Sequence, residues 1–296
     1  MTRTLCLIGA PSSAGAYAPG QEKAPATFRR QGLVAALAEC GLRVNDRGDV
    51  PSFRWRLDPQ RPKAMNLDAV RRTAVAVAEK VEEAFAAGEA ALVLGGDCTV
   101  ELGTVAGALR DEPSVGLIYI DFDVDLNAPE TSDGALDWTG VAHLLDLPGT
   151  ETQLSGLGPR RPMLAPADIL YFAADNITPV EAEAMRALDL ERIALAEVKV
   201  DPVAAARRAV AWGARYDRLL IHLDVDVLAF TDFPIAENVR RCDGLSFDAL
   251  SAALASLVTA PSWRALTVTE VNPDHASDER ESFGRLIAML SNALSA

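Results

Sequence analysis

Short apolar runs rich in Val, Ile and Leu recur along the 296-residue chain, at 5–8, 42–44, 91–94, 115–120, 169–172, 193–196, 219–223 and 265–268. Runs of this length, bounded by polar or turn-forming residues, predict about eight β-strands. Between them the apolar spacing changes to steps of three and four. The clearest stripe is Leu67, Val70, Ala74, Val77, Val81 and Phe85, one face of a helix that ends at Gly88. Further helices are predicted over 25–40, 101–110, 178–188, 202–215, 247–257 and 281–294, and loops over 51–65 and 147–166, where Pro, Gly and Ser gather. Strands alternating with helices imply an α/β fold with a mostly parallel sheet covered on both faces. The alternation resumes after each long loop and no internal repeat interrupts it, so the expected organisation is one domain over 1–296.

Composition narrows the function classes. Apolar residues make up 49% and charged residues 24%, enough to bury a sizeable core. No apolar run approaches the roughly 20 residues that a bilayer requires, so no membrane partner is expected. Lys and Arg number 28 against 42 Asp and Glu, a net charge of −14 that repels a phosphate backbone and argues against nucleic acid. Residues 1–4 precede an apolar stretch of only 5–10 before Pro11, too short for a secretory core. The four cysteines (Cys6, Cys40, Cys98, Cys242) show no paired spacing, so a reduced cytoplasmic setting is expected.

In open α/β sheets, ligands bind outside the carboxyl ends of the strands. Here those ends are acidic: the run 117–120 leads into Asp121, Asp123 and Asp125, and the run 219–223 leads into Asp224 and Asp226. If the backbone stays extended, alternate residues face the same way and the carboxylates converge. Clustered like charges repel unless cations are present, and hard divalent ions suit oxygen ligands. An EF-hand loop is excluded, because Leu126 and Ser132 stand where its Gly and Glu are required. A third strand end runs into Gly95-Gly96-Asp97-Cys98, which could bring Cys98 beside the cluster. Taken alone, Cys98 is more often a small buried hydrophobe than a ligand or nucleophile, and His143, His222 and His275, with no metal-type spacing, read as structural.

The chain resembles the ureohydrolase superfamily, the group of arginase, agmatinase and related amidinohydrolases. The resemblance rests on Ile8-Gly9-Ala10-Pro11, Gly48-Asp49-Val50-Pro51, Gly95-Gly96-Asp97, Asp121-x-Asp123-x-Asp125-x-Asn127, Asp224-Val225-Asp226 and Glu270-Val271-Asn272-Pro273, in that order over nearly the whole chain. It implies a three-layer α/β/α arginase-like fold around an eight-stranded parallel sheet. It also implies two Mn²⁺ ions, a small cationic guanidino-type substrate, and a homo-oligomer, either trimer or hexamer. Carried over by position, Asp121 and Asp224 would bridge both ions, Cys98 and Asp125 would complete the first site, and Asp123 and Asp226 the second. Glu270 would pair with the cationic head, and Asp137 would stand where the family has its acid/base residue. Asn127, Thr178 and Glu181 would lie where the far end of the substrate is read.

Three departures accompany the resemblance: Cys98 and Asp123 replace metal-site histidines, and Asp137 replaces the acid/base histidine. Five aspartates and a thiolate would carry six negative charges against the four positive charges of two divalent ions, holding cations tightly while weakening their pull on water. Thr178 and Ala135 stand where arginase reads the amino-acid end, so plain L-arginine is not the expected substrate. The expected function is metal-dependent hydrolysis of a guanidino or linear amidine compound, releasing urea or a urea-like product. The alternative is a catalytically impaired homologue that binds a ligand or a partner subunit.

Overall fold

The computed structural model describes residues 4–239 and 242–295; residues 1–3, on which part of the amino-terminal reading fell, lie outside the described residues. Among the described residues there are eight strands: β1 (Thr4–Gly9), β2 (Arg43–Asp49), β3 (Ala90–Leu94), β4 (Val115–Ile120), β5 (Ile169–Phe172), β6 (Glu191–Ile193), β7 (Arg218–Asp224) and β8 (Trp263–Thr269). They form one sheet in the order β2-β1-β3-β8-β7-β4-β5-β6, with every neighbouring pair parallel. Parallel neighbours require crossover connections. The helices are α1 (Ala24–Arg30), α2 (Leu33–Glu39), α3 (Leu67–Ala86), α4 (Val100–Ala108), α5 (Gly140–Leu144), α6 (Thr152–Ser155), α7 (Pro179–Ala187), α8 (Leu195–Val200), α9 (Pro202–Gly213), α10 (Phe247–Leu257) and α11 (Glu279–Leu294).

Strand alternation divides the core into two layers. Leu5 and Leu7 of β1 join Phe28, Leu33, Leu250 and Phe283 on one face of the sheet. Cys6 and Ile8 join Val70, Val77, Val81 and Val105 on the other. The stripe seen in α3 is therefore its buried face, with Phe85 at its half-buried end. No helix among the described residues is long and apolar enough to cross a membrane. Cys6, Cys40, Cys98 and Cys242 are all free thiols.

Several elements differ from the sequence reading. Helix α5 has no counterpart in it, and the short helix α6 lies within 147–166, the stretch expected as a loop, where the Glu151 carbonyl accepts from the Leu154 and Ser155 amides at 2.8 and 3.0 Å. The helix expected over 25–40 is two helices, parted at Gly32, whose φ of 95° lies where other residues are strained. The strand expected over 193–196 ends at Ile193, and helix α8 begins two residues later. There the Glu197 carboxylate accepts from the Ala194 amide at 3.1 Å, a cap that outweighs the short apolar run. Strand β2 continues through polar residues to Asp49 because it lies at the sheet edge, where charge is favoured. Its Arg47 pairs with Glu83 and Glu89, and its Asp46 and Asp49 pair with Arg29.

Candidate metal centre

Strands β3, β8, β7 and β4 are neighbours, so the residues that follow them meet at one edge of the sheet. Cys98, Glu270, Asp224, Asp226, Asp121, Asp123 and Asp125 line a single cleft there, together with Asp137, Tyr17, Trp138 and Asn238. Seven of these eleven groups are carboxylic, and none of the seven is more than 8% exposed. The sequence-derived metal set and both candidate catalytic residues therefore share one cleft.

Local hydrogen bonding explains how the chain holds this shape. After β3, a side chain at Gly96 would place its Cβ 1.5 Å from the Ser12 carbonyl oxygen, so only glycine allows this crossing. Asp97 then braces the turn: its carboxylate accepts from the Gly15 amide at 3.0 Å and from the Thr99 amide at 3.1 Å. The two Asp-x-Asp segments fold alike. Asp121 accepts from the Asp123 amide at 2.6 Å, and Asp224 from the Asp226 amide at 2.7 Å. Asp125 and Glu270 both hold left-handed backbone, with φ of 49° and 60°, a strained state that packing must enforce. Glu270 is fixed from both sides, by the Cys98 amide at 3.0 Å and the Gln21 side-chain amide at 2.9 Å.

Burial and mutual repulsion set the electrostatics. Burial, then the charges of Asp224 and its neighbours, pushes the Asp121 carboxyl well above the usual carboxylate range. Asp224 is raised by burial and by Asp226 and Glu270, and Asp137 by burial and by Asp97 and Asp125. Glu270 follows the same direction through burial and Asp137. Asp125 is raised by burial although the Tyr119 hydroxyl, 2.5 Å away, opposes the shift. Burial also pushes the Cys98 thiol up, and Asp224 adds to it; the thiol donates to the Asp224 carboxylate at 3.0 Å. Such a site favours the uptake of positive charge.

Not every site residue expected from sequence lines this cleft. Thr178 and Glu181 form a reciprocal cap at the start of α7, with the Thr178 hydroxyl donating to Glu181 at 2.8 Å. Asn127 donates to the other Glu181 oxygen at 2.9 Å and lines an adjoining pocket with Ser132, Asp133 and Trp138. Several functional candidates carried no signal in the sequence. Gln21 orients Glu270, Tyr119 bonds Asp125, and Asn176 donates to Asp123. Tyr17 and Trp138 stand at the rim with ring centroids 6.3 Å apart. Gln21 and Asn176 lie 249 and 53 residues from their partners, which conceals these contacts, whereas Tyr119, six residues from Asp125, reads in sequence as part of the apolar strand β4.

The donor chemistry fits divalent metal ions. Ligand atoms of Asp121, Asp224 and Asp226 all lie within 4.8 Å of one another, as do those of Cys98, Asp224 and Glu270. Carboxylate oxygens suit hard ions such as Mn²⁺ or Mg²⁺, and a cation would offset the repulsion that raises these carboxyls.

Comparison with known proteins bears on the family and the fold. The sequence profile of the arginase family matches residues 3–292. The chain is 28% identical over 277 residues to Arginase-1 of Homo sapiens, covering 92% of this chain and 86% of that protein. It is 26% identical to mitochondrial Arginase-2 of Rattus norvegicus, covering 94% of this chain and 80% of that one. The crystal structure of arginase from Bacillus subtilis superposes with a TM-score of 0.88 over 99% of this chain and 98% of its own, at 23% identity. Formimidoylglutamase from Bacillus subtilis superposes with a TM-score of 0.75 at 17% identity, over 99% of this chain and 86% of its own. These two superpositions bear on the fold.

Proposed function

The chain belongs to the arginase family, and from that premise we propose that it hydrolyses a C–N bond of a small guanidino or linear amidine cation with the help of divalent metal ions. The observation that carries this reading is the convergence of seven buried carboxyl groups in one cleft at the carboxyl edge of the sheet. In the proposal two divalent ions, Mn²⁺ by family, would be held by these residues: Asp121 and Asp224 would be shared, Cys98 and Asp125 would help hold one ion, and Asp123 and Asp226 the other. When bound, such a pair supplies charge neutralisation and the activation of water that hydrolysis of an amidine carbon needs.

The residues of the chain perform the remaining tasks. Glu270, locked by the Cys98 amide and Gln21, presents its carboxylate in a fixed plane to which a planar cation can bond in two places. Asp137, held at one oxygen by the Trp138 amide at 3.0 Å and pushed well above the usual carboxylate range by burial and the charges of Asp97 and Asp125, would give a proton to the departing amine. Water adds its oxygen to the amidine carbon, the C–N bond breaks, the amine leaves with that proton, and of the two protons the water gives up one restores Asp137 and the other completes the departing ammonium. Tyr17 and Trp138 narrow the mouth of the cleft against bulk water.

Asn127, Thr178 and Glu181 bond to one another beside the cleft, and in the proposal they meet the far end of the substrate. Because Thr178 and Glu181 already satisfy each other, a free amino-acid end finds few open partners, and plain L-arginine is a poor substrate. Self-association into a trimer or hexamer belongs to the same proposal and is checked by light scattering. The test of the activity is a screen of Mn²⁺-loaded protein with L-arginine, agmatine, guanidinobutyrate, N-hydroxyarginine and formimino compounds, following release of urea or the corresponding amide. Turnover of one of the last four above L-arginine is expected. A metal-loaded protein inert towards the whole set would overturn the hydrolase reading in favour of a ligand-binding homologue.

A further inference from the structure

We propose that Cys98, Asp121 and His222 form a softer metal subsite on the floor of the cleft, with Glu101 as the positioning residue for His222. This rests on the reading that divalent ions occupy the cleft, and it adds an imidazole that none of the motif positions supplies.

One donor atom from each of Cys98, Asp121 and His222 lies within 4.8 Å of the other two, and all three residues are buried. His222 lies on β7 two residues before Asp224, so the two side chains leave the strand on the same face. The two ring nitrogens meet different surroundings. Nδ1 lies 3.4 Å from Glu101 Oε2, whereas Nε2 lies 3.4 Å from the Thr269 hydroxyl, which in turn lies 3.3 Å from Cys98 Sγ. The ring is laid flat on Tyr119, with centroids 4.2 Å apart and planes 8° from parallel. A carboxylate on the nitrogen away from the metal is the arrangement that fixes the tautomer of a ligating imidazole and raises its basicity.

Glu101 gives an independent pointer. It sits on α4, a helix buried on every side, it is 2% exposed, and its Oε1 has no hydrogen-bond partner among the described residues. A buried carboxylate in that position needs positive charge nearby. A cation on Nε2 supplies it through the ring. In a tetrahedral zinc site with Zn–S of about 2.3 Å and Zn–N of about 2.0 Å, donors are roughly 3.5 Å apart, so the observed spacing closes with side-chain shifts of about 1 Å. The Thr269 hydroxyl can yield its place by turning to the Leu223 carbonyl, already 3.3 Å away. Nitrogen, sulfur and a single oxygen together favour Zn²⁺ or Co²⁺ over Mn²⁺. The cleft thus has a softer inner side and a harder, all-carboxylate outer side.

The test is Co²⁺ absorption spectroscopy with competition between Zn²⁺ and Mn²⁺ on the full-length protein and on Cys98→Ser, His222→Gln and Glu101→Gln. The wild type should show thiolate-to-cobalt charge-transfer absorption, which Cys98→Ser abolishes. His222→Gln should lower the preference for Zn²⁺ over Mn²⁺ by about tenfold or more, and Glu101→Gln should weaken Zn²⁺ binding by about 10- to 100-fold while Mn²⁺ binding stays. If His222→Gln does not fold by circular dichroism, Glu101→Gln, which keeps the shape of the side chain, decides alone. Cobalt bound without a thiolate signature, or unchanged Zn²⁺ affinity in the folded variants, overturns this subsite and leaves the hydrolase reading intact. Failure of the wild type to bind Zn²⁺, Co²⁺ or Mn²⁺ overturns both.

Discussion

His143, on α5, offers a sharp electrostatic test of the fold. Its ring is fully buried, with Nδ1 2.7 Å from the Thr139 carbonyl oxygen and Nε2 accepting from the Glu151 amide at 3.0 Å. This pair of bonds requires the neutral ring protonated at Nδ1, because a second proton would face the Glu151 N–H. Burial accordingly pushes its pKa down to about 4 from the ordinary 6.5. In the unfolded chain the ring takes up a proton near pH 6.5, in the fold only near 4, so between these values the unfolded state binds more protons and stability falls as pH falls. From the two values the loss between pH 7 and 5 is about 2 kcal/mol, approaching about 3 kcal/mol by pH 4. The raised carboxyls of the cleft titrate in the opposite sense, because the fold holds their protons more tightly than the unfolded chain. The useful quantity is therefore the difference between wild type and His143→Gln, which cannot take up that proton. Urea unfolding at pH 7, 6 and 5 should show the wild type losing about 2 kcal/mol more than the variant over this range. Parallel curves for the two proteins would refute the buried, neutral histidine.

Three further outcomes are expected. Glu270→Gln should leave the protein folded but reduce kcat/KM about 10- to 100-fold, since a charge-assisted bond to the substrate head is worth about 1.5–3 kcal/mol; unchanged kinetics would remove Glu270 from substrate binding. Cys6, buried and pushed up to about 11, should resist alkylation at pH 8 in the native state while exposed Cys40 reacts, as peptide mass spectrometry would show. Trp138→Ala should widen the mouth and admit bulkier guanidino compounds, and an unaltered substrate profile would show that the aromatic rim does not select.

The parts of this fold that were legible in the sequence are those with a strong local signal. The buried strands around β4 and β7 read as unbroken apolar runs, and the aspartates that follow them owe their convergence to parallel topology, which the alternation of elements predicts. Residues 193–196 are ambiguous in sequence because a four-residue apolar run suits a strand or a helix start, and Glu197 decides between them only through a cap. Polar β2 extends beyond its short apolar run because its partner is β1 on one side alone, so apolarity is not required of it. The supporting contacts were hidden for a different reason. Gln21 is 249 residues from Glu270 in sequence and Glu101 is 121 from His222, and nothing in either local pattern marks the meeting. His222 in particular reads as a core residue of an apolar strand until Glu101 and Cys98 are seen on its two sides.

The central claim, that the acidic cleft holds divalent metal, is tested most directly by metal stoichiometry. The protein is stripped with chelator, dialysed against Mn²⁺ or Zn²⁺, and measured by elemental analysis beside an Asp121→Asn, Asp224→Asn double variant. The predicted result is two ions per wild-type chain, with loss of both in the variant, because in the proposal these two carboxylates would be shared by both ions. A folded wild-type protein that retains no ion, or a double variant that binds as much as the wild type, would contradict it.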